Sequence, residues 1–220
     1  MRVYRLRFQI SVAEMFSTLA GRAMTQATFE FWYDLVCPYA YLGSTQIARL
    51  ERETGAIAQY RPFLLGGVFK SFGPAYDPNA TMSPAKAAHN RADMTRWASS
   101  FEVPLRVPEE HPRRTVLALR ALLAAGEAER RRATDALFRA YWVDGLDVTD
   151  PARVETVLDA AELDGHACVA AASTPAIKTE LRELTDRAIA RGVFGAPAFV
   201  VNGELFWGQD RIDFVRAALG

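Results

Sequence analysis

Cysteine and histidine are scarce in this 220-residue chain, with two of the first and three of the second. Cys37 and Cys168 are too few for a disulfide framework, and such sparing use suits a reducing compartment, so a cytoplasmic setting is expected. His89, His111 and His166 stand far apart without ligand spacing, so no metal site is expected. Net charge is missing as well. The 26 basic residues balance 26 acidic ones, and no overall field favours nucleic acid or an anionic membrane. The run from Arg130 to Arg132 reads as a solvated helix face. No apolar run approaches the length of a membrane span. The first residues make a poor secretory signal, because Gln9, Ser11 and Glu14 interrupt the apolar stretch and Arg22 occupies a place suited to small residues. Residues 1–24 are expected to form an N-terminal extension, disordered or preceding a working start at Met24.

Half of the residues are apolar, enough to bury a sizeable core. Thr28 to Tyr33 is aromatic and β-prone and predicts a strand. Pro38 suits a first helical position, and Tyr41, Leu42, Ile47 and Leu50 recur at helical spacing, predicting one helix from Tyr39 to Glu53 with Gly55 as its stop. Ile57 to Phe63 predicts a second strand, parallel to the first. Gly66 to Asn79 reads as a loop rich in Gly and Pro. Helices are then expected from Ser83-Pro84 to before Pro104, from about Arg113 to Ala125, and from about Glu127 to Val143. One more begins at Asp150-Pro151, and another at Thr174-Pro175 ends at Gly192. Asn202-Gly203 between two short β-prone runs predicts a hairpin, followed by a helix from about Asp210. This order predicts an α/β fold, a thioredoxin-like domain over residues 25–74 and 176–220 split by an all-helical insertion over 75–175.

Cys37 stands at the junction of the first strand and first helix, where unpaired N–H groups and the helix dipole stabilise a thiolate; the bland alternative is a small buried hydrophobe. Pro197 precedes the hairpin strand, where a cis Ala196-Pro197 bond would free the Ala196 backbone to pair with an extended ligand.

The segments FWYDLVCPYAYLG (Phe31 to Gly43), RPFLLGGVFKSFG (Arg61 to Gly73) and GVFGAPAFVVNGELFWGQDR (Gly192 to Arg211) resemble the 2-hydroxychromene-2-carboxylate isomerases. These are relatives of kappa-class glutathione transferases and of the thioredoxin-fold disulfide oxidants. The resemblance covers nearly everything from Thr28 to Gly220. It implies a cytosolic homodimer that binds glutathione and acts on a small aromatic carboxylate. The residue matching Cys37 is a serine in that family, where it activates the glutathione sulfur. Ala196, ahead of Pro197, is expected to pair with the cysteinyl backbone of glutathione, and Trp207, Gly208, Gln209 and Asp210 to hold its γ-glutamyl end. An ordinary helix cap is the alternative for Asp210. Lys86 resembles a lysine near glutathione, and Lys70 one that meets the substrate carboxylate; a solvated lysine is the alternative for either. Asn79 is a looser match on the substrate side. Phe101 stands where the isomerases can carry a tyrosine, and its ring cannot donate that hydrogen bond. Of the aromatics Trp32, Tyr33, Tyr39, Tyr41 and Trp207, only Tyr39 and Trp207 are expected to touch a flat substrate.

Cysteine in place of serine leaves three readings. The first is a glutathione-dependent isomerase with the glutathione thiolate as nucleophile. The second is a glutathione transferase or thiol-disulfide enzyme using Cys37, although Ala40 occupies the place of a second cysteine. The third is a glutathione-binding protein without turnover.

Overall fold

The computed structural model describes residues 26–73 and 81–220. The expected N-terminal extension and Asn79 lie outside these residues. Four strands, β1 (Thr28–Tyr33), β2 (Ile57–Pro62), β3 (Ala198–Val201) and β4 (Glu204–Trp207), form one sheet in the order β2-β1-β3-β4. β1 pairs in parallel with β2, Phe31 opposite Tyr60, and antiparallel with β3, Phe31 opposite Phe199. β3 turns back into β4 through Asn202-Gly203, where both residues have positive φ, 50° and 89°, as a tight hairpin turn of matching twist requires. This is the thioredoxin-like arrangement expected of the α/β core. Every residue of β3 is buried, which explains why it reads as a continuous apolar run and not an alternating one.

Ten helices are found among the described residues. They are α1 (Pro38–Ser44), α2 (Ile47–Thr54), α3 (Leu65–Ser71), α4 (Pro84–Ser100), α5 (Val116–Ala124), α6 (Arg130–Trp142), α7 (Pro151–Ala160), α8 (Gly165–Ala171), α9 (Pro175–Ala190) and α10 (Ile212–Leu219), with a 3₁₀ turn at Gln209–Arg211 before the last. The single helix expected from Tyr39 to Glu53 is in fact two. The Ser44 and Thr45 hydroxyls donate back to the carbonyls of Tyr41 and Leu42, both at 2.7 Å, and the Gln46 N–H turns to the Gly43 carbonyl. Side chains that compete for backbone acceptors end the helix there.

The stretch expected to be a loop from Gly66 begins inside α3. Its start is anchored from outside: Asp34 Oδ2 accepts from the Leu65 N–H at 2.8 Å, and Thr185 Oγ1 from the Leu64 N–H at 3.0 Å. Such long-range capping leaves no trace in local composition. Helix α5 starts three residues later than expected, because the Arg113 N–H donates to the Tyr141 hydroxyl and the Thr115 side chain is engaged with Asp34. After Asp150-Pro151 come two helices. They are separated where Glu162 has φ 59° and Asp164 caps α8 by accepting from the Ala167 N–H.

The helices between the two halves of the sheet share one hydrophobic core with it, running from Phe29, Phe31 and Phe199 through Phe138, Tyr141 and Trp142 to Leu119 and Leu158. Three buried hydrogen bonds fasten this layer to the end of β1. Tyr33 and Thr134 share a hydroxyl bond of 2.5 Å, Thr115 donates to Asp34 Oδ1 at 2.6 Å, and Trp142 Nε1 donates to the Leu35 carbonyl at 2.9 Å. The inserted helices thereby hold the segment that leads to Cys37.

Candidate active site

Cys37 is the N-cap of α1, with extended backbone, and Pro38 is the first helical residue. Its thiol is buried, 8% exposed, and Sγ donates to the Ala196 carbonyl at 3.0 Å. The expected thiolate is corrected by this burial. Amide groups of Ala40 and Tyr39 favour the anion, but loss of solvent outweighs them and pushes the thiol up to about 12. A seven-residue helix start is too little to charge a sulfur held away from water.

The backbone of Cys37 is set by Asp34, a buried carboxylate that local sequence reading passes over as part of a short link. Its Oδ1 accepts from the Val36 N–H at 3.1 Å and from Thr115, while Oδ2 accepts from Leu65. The Cys37 N–H donates to the Asp34 carbonyl at 3.1 Å. An acid between the apolar runs FWY and LV was the one signal for this role. Thr115, 81 residues away, had none.

Opposite Cys37, the Ala196-Pro197 bond is cis. The Gly208 N–H donates to the Pro197 carbonyl at 2.9 Å, which ties the end of β4 to this turn. Gln209 is buried, 6% exposed, beside Gly43 of α1. Asp210 is exposed and pairs with Arg211 at 3.3 Å. Trp207 is half exposed, and its ring lies 4.9 Å from that of Phe194. Cys37, Ala196, Pro197, Gly208 and Gln209 are thus brought together, with Trp207 and Asp210 at the rim.

A Cβ added at Gly195 would stand 2.5 Å from Trp207 Nε1. Gly195→Ala is expected to push this exposed ring outward at a stability cost below about 1 kcal/mol. The check is a shift in tryptophan emission that vanishes when the same change is made in Trp207→Phe.

Tyr39 extends from α1 to α4, where its hydroxyl donates to Asp93 at 3.2 Å. Burial, then the Asp93 carboxylate, and more weakly Cys37 and Asp210, hold its phenol above the usual range. Trp32, Tyr33 and Tyr41 are core residues. Lys86 is exposed on α4, two turns before Asp93 and on the same face. Phe101 packs on Trp97 at the other end of α4. Fifteen residues separate Lys86 from Phe101, about 22 Å along a helix, so the two serve different parts of the surface. Lys70 is exposed in the last turn of α3. Among the described residues no group of His, Cys, Asp and Glu is placed to hold a metal, and no helix is long and apolar enough to cross a membrane.

Comparison with known proteins agrees with this architecture. The chain is 31% identical over 192 residues to a 2-hydroxychromene-2-carboxylate isomerase of Sphingobium xenophagum, covering 87% of this chain and 97% of that enzyme. It is 30% identical over 209 residues to glutathione S-transferase kappa 1 of Rattus norvegicus, covering 87% and 90% respectively. A solved structure of a 2-hydroxychromene-2-carboxylate isomerase superposes with a TM-score of 0.80 at 25% identity, over 88% of this chain and 94% of the other. Residues 28–220 match the model of the DSBA-like thioredoxin domain. With its sheet order, its N-terminal capping cysteine and its proline-led hairpin, the chain belongs to the DSBA-like thioredoxin domain family.

Proposed function

We propose that this protein is a glutathione-dependent isomerase acting on 2-hydroxychromene-2-carboxylate or a related intermediate of aromatic degradation. The observation that carries the reading is the buried Cys37 thiol facing the Ala196 carbonyl, with buried Gln209 nearby against Gly43 of α1, in a chain 31% identical to such an isomerase. Glutathione, when bound, would supply a nucleophilic sulfur for the unsaturated substrate. The chain's own residues do the rest. The Ala196 carbonyl, which has a second lone pair beyond the one taken by Cys37, accepts from the cysteinyl backbone of the tripeptide. Gln209 and Asp210, with Gly208 and Trp207 beside them, hold the γ-glutamyl end, and Lys86 adds a positive charge from α4. Cys37 would turn its single S–H from the Ala196 carbonyl to the cofactor sulfur and orient it as a neutral donor. Lys70 holds the substrate carboxylate, with Asn79 and Phe101 on the same side of the reading. A homodimer in the cytoplasm belongs to this proposal, and light scattering checks the assembly.

A glutathione transferase is the second reading, favoured by the 30% identity to the rat kappa-class enzyme. Dithiol redox chemistry at Cys37 is disfavoured by Ala40 in the place of a partner and by a thiol that stays protonated. Isomerisation of 2-hydroxychromene-2-carboxylate, followed spectrophotometrically with and without glutathione, decides among them. Turnover that needs glutathione and survives Cys37→Ser is expected, because a hydroxyl donates at least as well as a thiol. Conjugation of an electrophile without isomerisation points to the transferase. Glutathione-disulfide reduction abolished by Cys37→Ser overturns the isomerase in favour of redox chemistry. Glutathione binding with no turnover leaves a binding protein.

A further inference from the structure

A groove of about 450 Å³ lies in the helical layer, outside the Cys37 cluster. Val116 and Leu117 of α5 form its apolar wall with Val169 and Ala172, and Ser173 adds a hydroxyl. Arg114 and Arg120 complete the lining, and no carboxylate lines it. Neither arginine side chain has an ion pair or a hydrogen bond among the described residues, although the adjacent Arg113 is paired with both Glu110 and Asp147. The Nε of Arg120 is moreover shut off from solvent without an acceptor.

Two guanidinium groups lining one groove without a carboxylate repel each other, and an anion between them answers that charge. A carboxylate fits the guanidinium fork, and the aliphatic walls fit an apolar body behind it. We propose that this groove binds a small organic carboxylate with an apolar body, at a site separate from the one around Cys37. Thr115, between the groove residues Arg114 and Val116 in sequence, donates instead to Asp34. The site stands on the unpaired arginines alone and is independent of which reaction Cys37 serves.

Benzoate is the probe. It is titrated into the full-length protein while the methyl resonances of Val116, Leu117 and Val169 are followed by NMR, with benzyl alcohol as the uncharged counterpart. Saturable shifts of these methyls are expected with benzoate and not with the alcohol. Arg120→Met and Arg114→Met, which remove charge while keeping length, should each weaken binding by about tenfold or more. Arg114 is exposed, so its variant keeps the test valid should Arg120→Met unfold. No shift in the wild type, as when a second copy covers the groove, overturns the proposal. So do an equal response to benzyl alcohol and shifts that survive both substitutions.

Discussion

Native protein treated with iodoacetamide near neutral pH is expected to leave Cys37 unmodified, while the same protein in denaturant is alkylated at the rate of an ordinary thiol. The thiolate is the reactive form, and burial moves the Cys37 thiol from 9.0 to about 12, so the anion fraction falls about a thousandfold. The hydrogen bond from Sγ to the Ala196 carbonyl works in the same direction, because only the protonated form can donate it. The rate should climb with pH in the native state long after a free thiol has levelled off, and peptide mapping by mass spectrometry assigns the label. The same shift has a consequence for stability. The native state holds this proton more tightly than the unfolded chain, so the contribution is complete below pH 9 and is lost as pH rises through about 12. Rapid labelling of native Cys37 near neutral pH would reverse the assignment of neutral donor and favour redox chemistry.

Asp34→Ala is expected to be the most damaging single change near the site, at about 3–5 kcal/mol. For a chain of this size that lowers the melting temperature by roughly 10 °C. Asp34 is 1% exposed and collects the Val36 N–H, the Leu65 N–H and the Thr115 hydroxyl. Alanine removes a costly buried acid but orphans three donors at once, each worth about 1–3 kcal/mol, and the orphaned donors outweigh the relief. Asp34→Asn should also destabilise, since its NH₂ group would face another donor. Thr115→Val removes one donor and leaves the other two satisfied, so it should cost less than Asp34→Ala. Burial holds the Asp34 carboxyl above its ordinary value of 3.8, against the pull of its donors. The native state therefore binds this proton better than the unfolded chain. Its contribution is complete below pH 3.8 and declines as pH rises through the raised native value. Urea denaturation across the acid range should show that decline in the wild type and not in Asp34→Ala. Loss of stability below 1 kcal/mol in Asp34→Ala would remove Asp34 as the anchor of the Cys37 loop.

Local chemistry in the chain was enough for much of the architecture. The aromatic, β-prone run TFEFWY, the Asn202-Gly203 turn and the caps at Ser83-Pro84, Asp150-Pro151 and Thr174-Pro175 each act within a few residues, and each sits where it was expected. The placement of Cys37 at a helix start and of Pro197 before a strand was legible for the same reason. What depended on contacts between distant segments was not. Asp34 creates the start of α3 by accepting from Leu65, and Gly and Pro content alone made that stretch look like loop. The ionisation of Cys37 went the other way from its position. A helix N-terminus is a local feature that favours the anion, whereas burial against Ala196, 159 residues on, is tertiary and stronger. The pairing of Tyr39 with Asp93, the burial of Gln209 and the bare arginines at 114 and 120 likewise exist only once the helices pack. The sequence alone determined which residues stand at the ends of strands and helices, because caps, turns and periodicity act over short range. Tertiary structure alone decided which of them lose water and which find a partner, and those two conditions set the charge and the reactivity of the site.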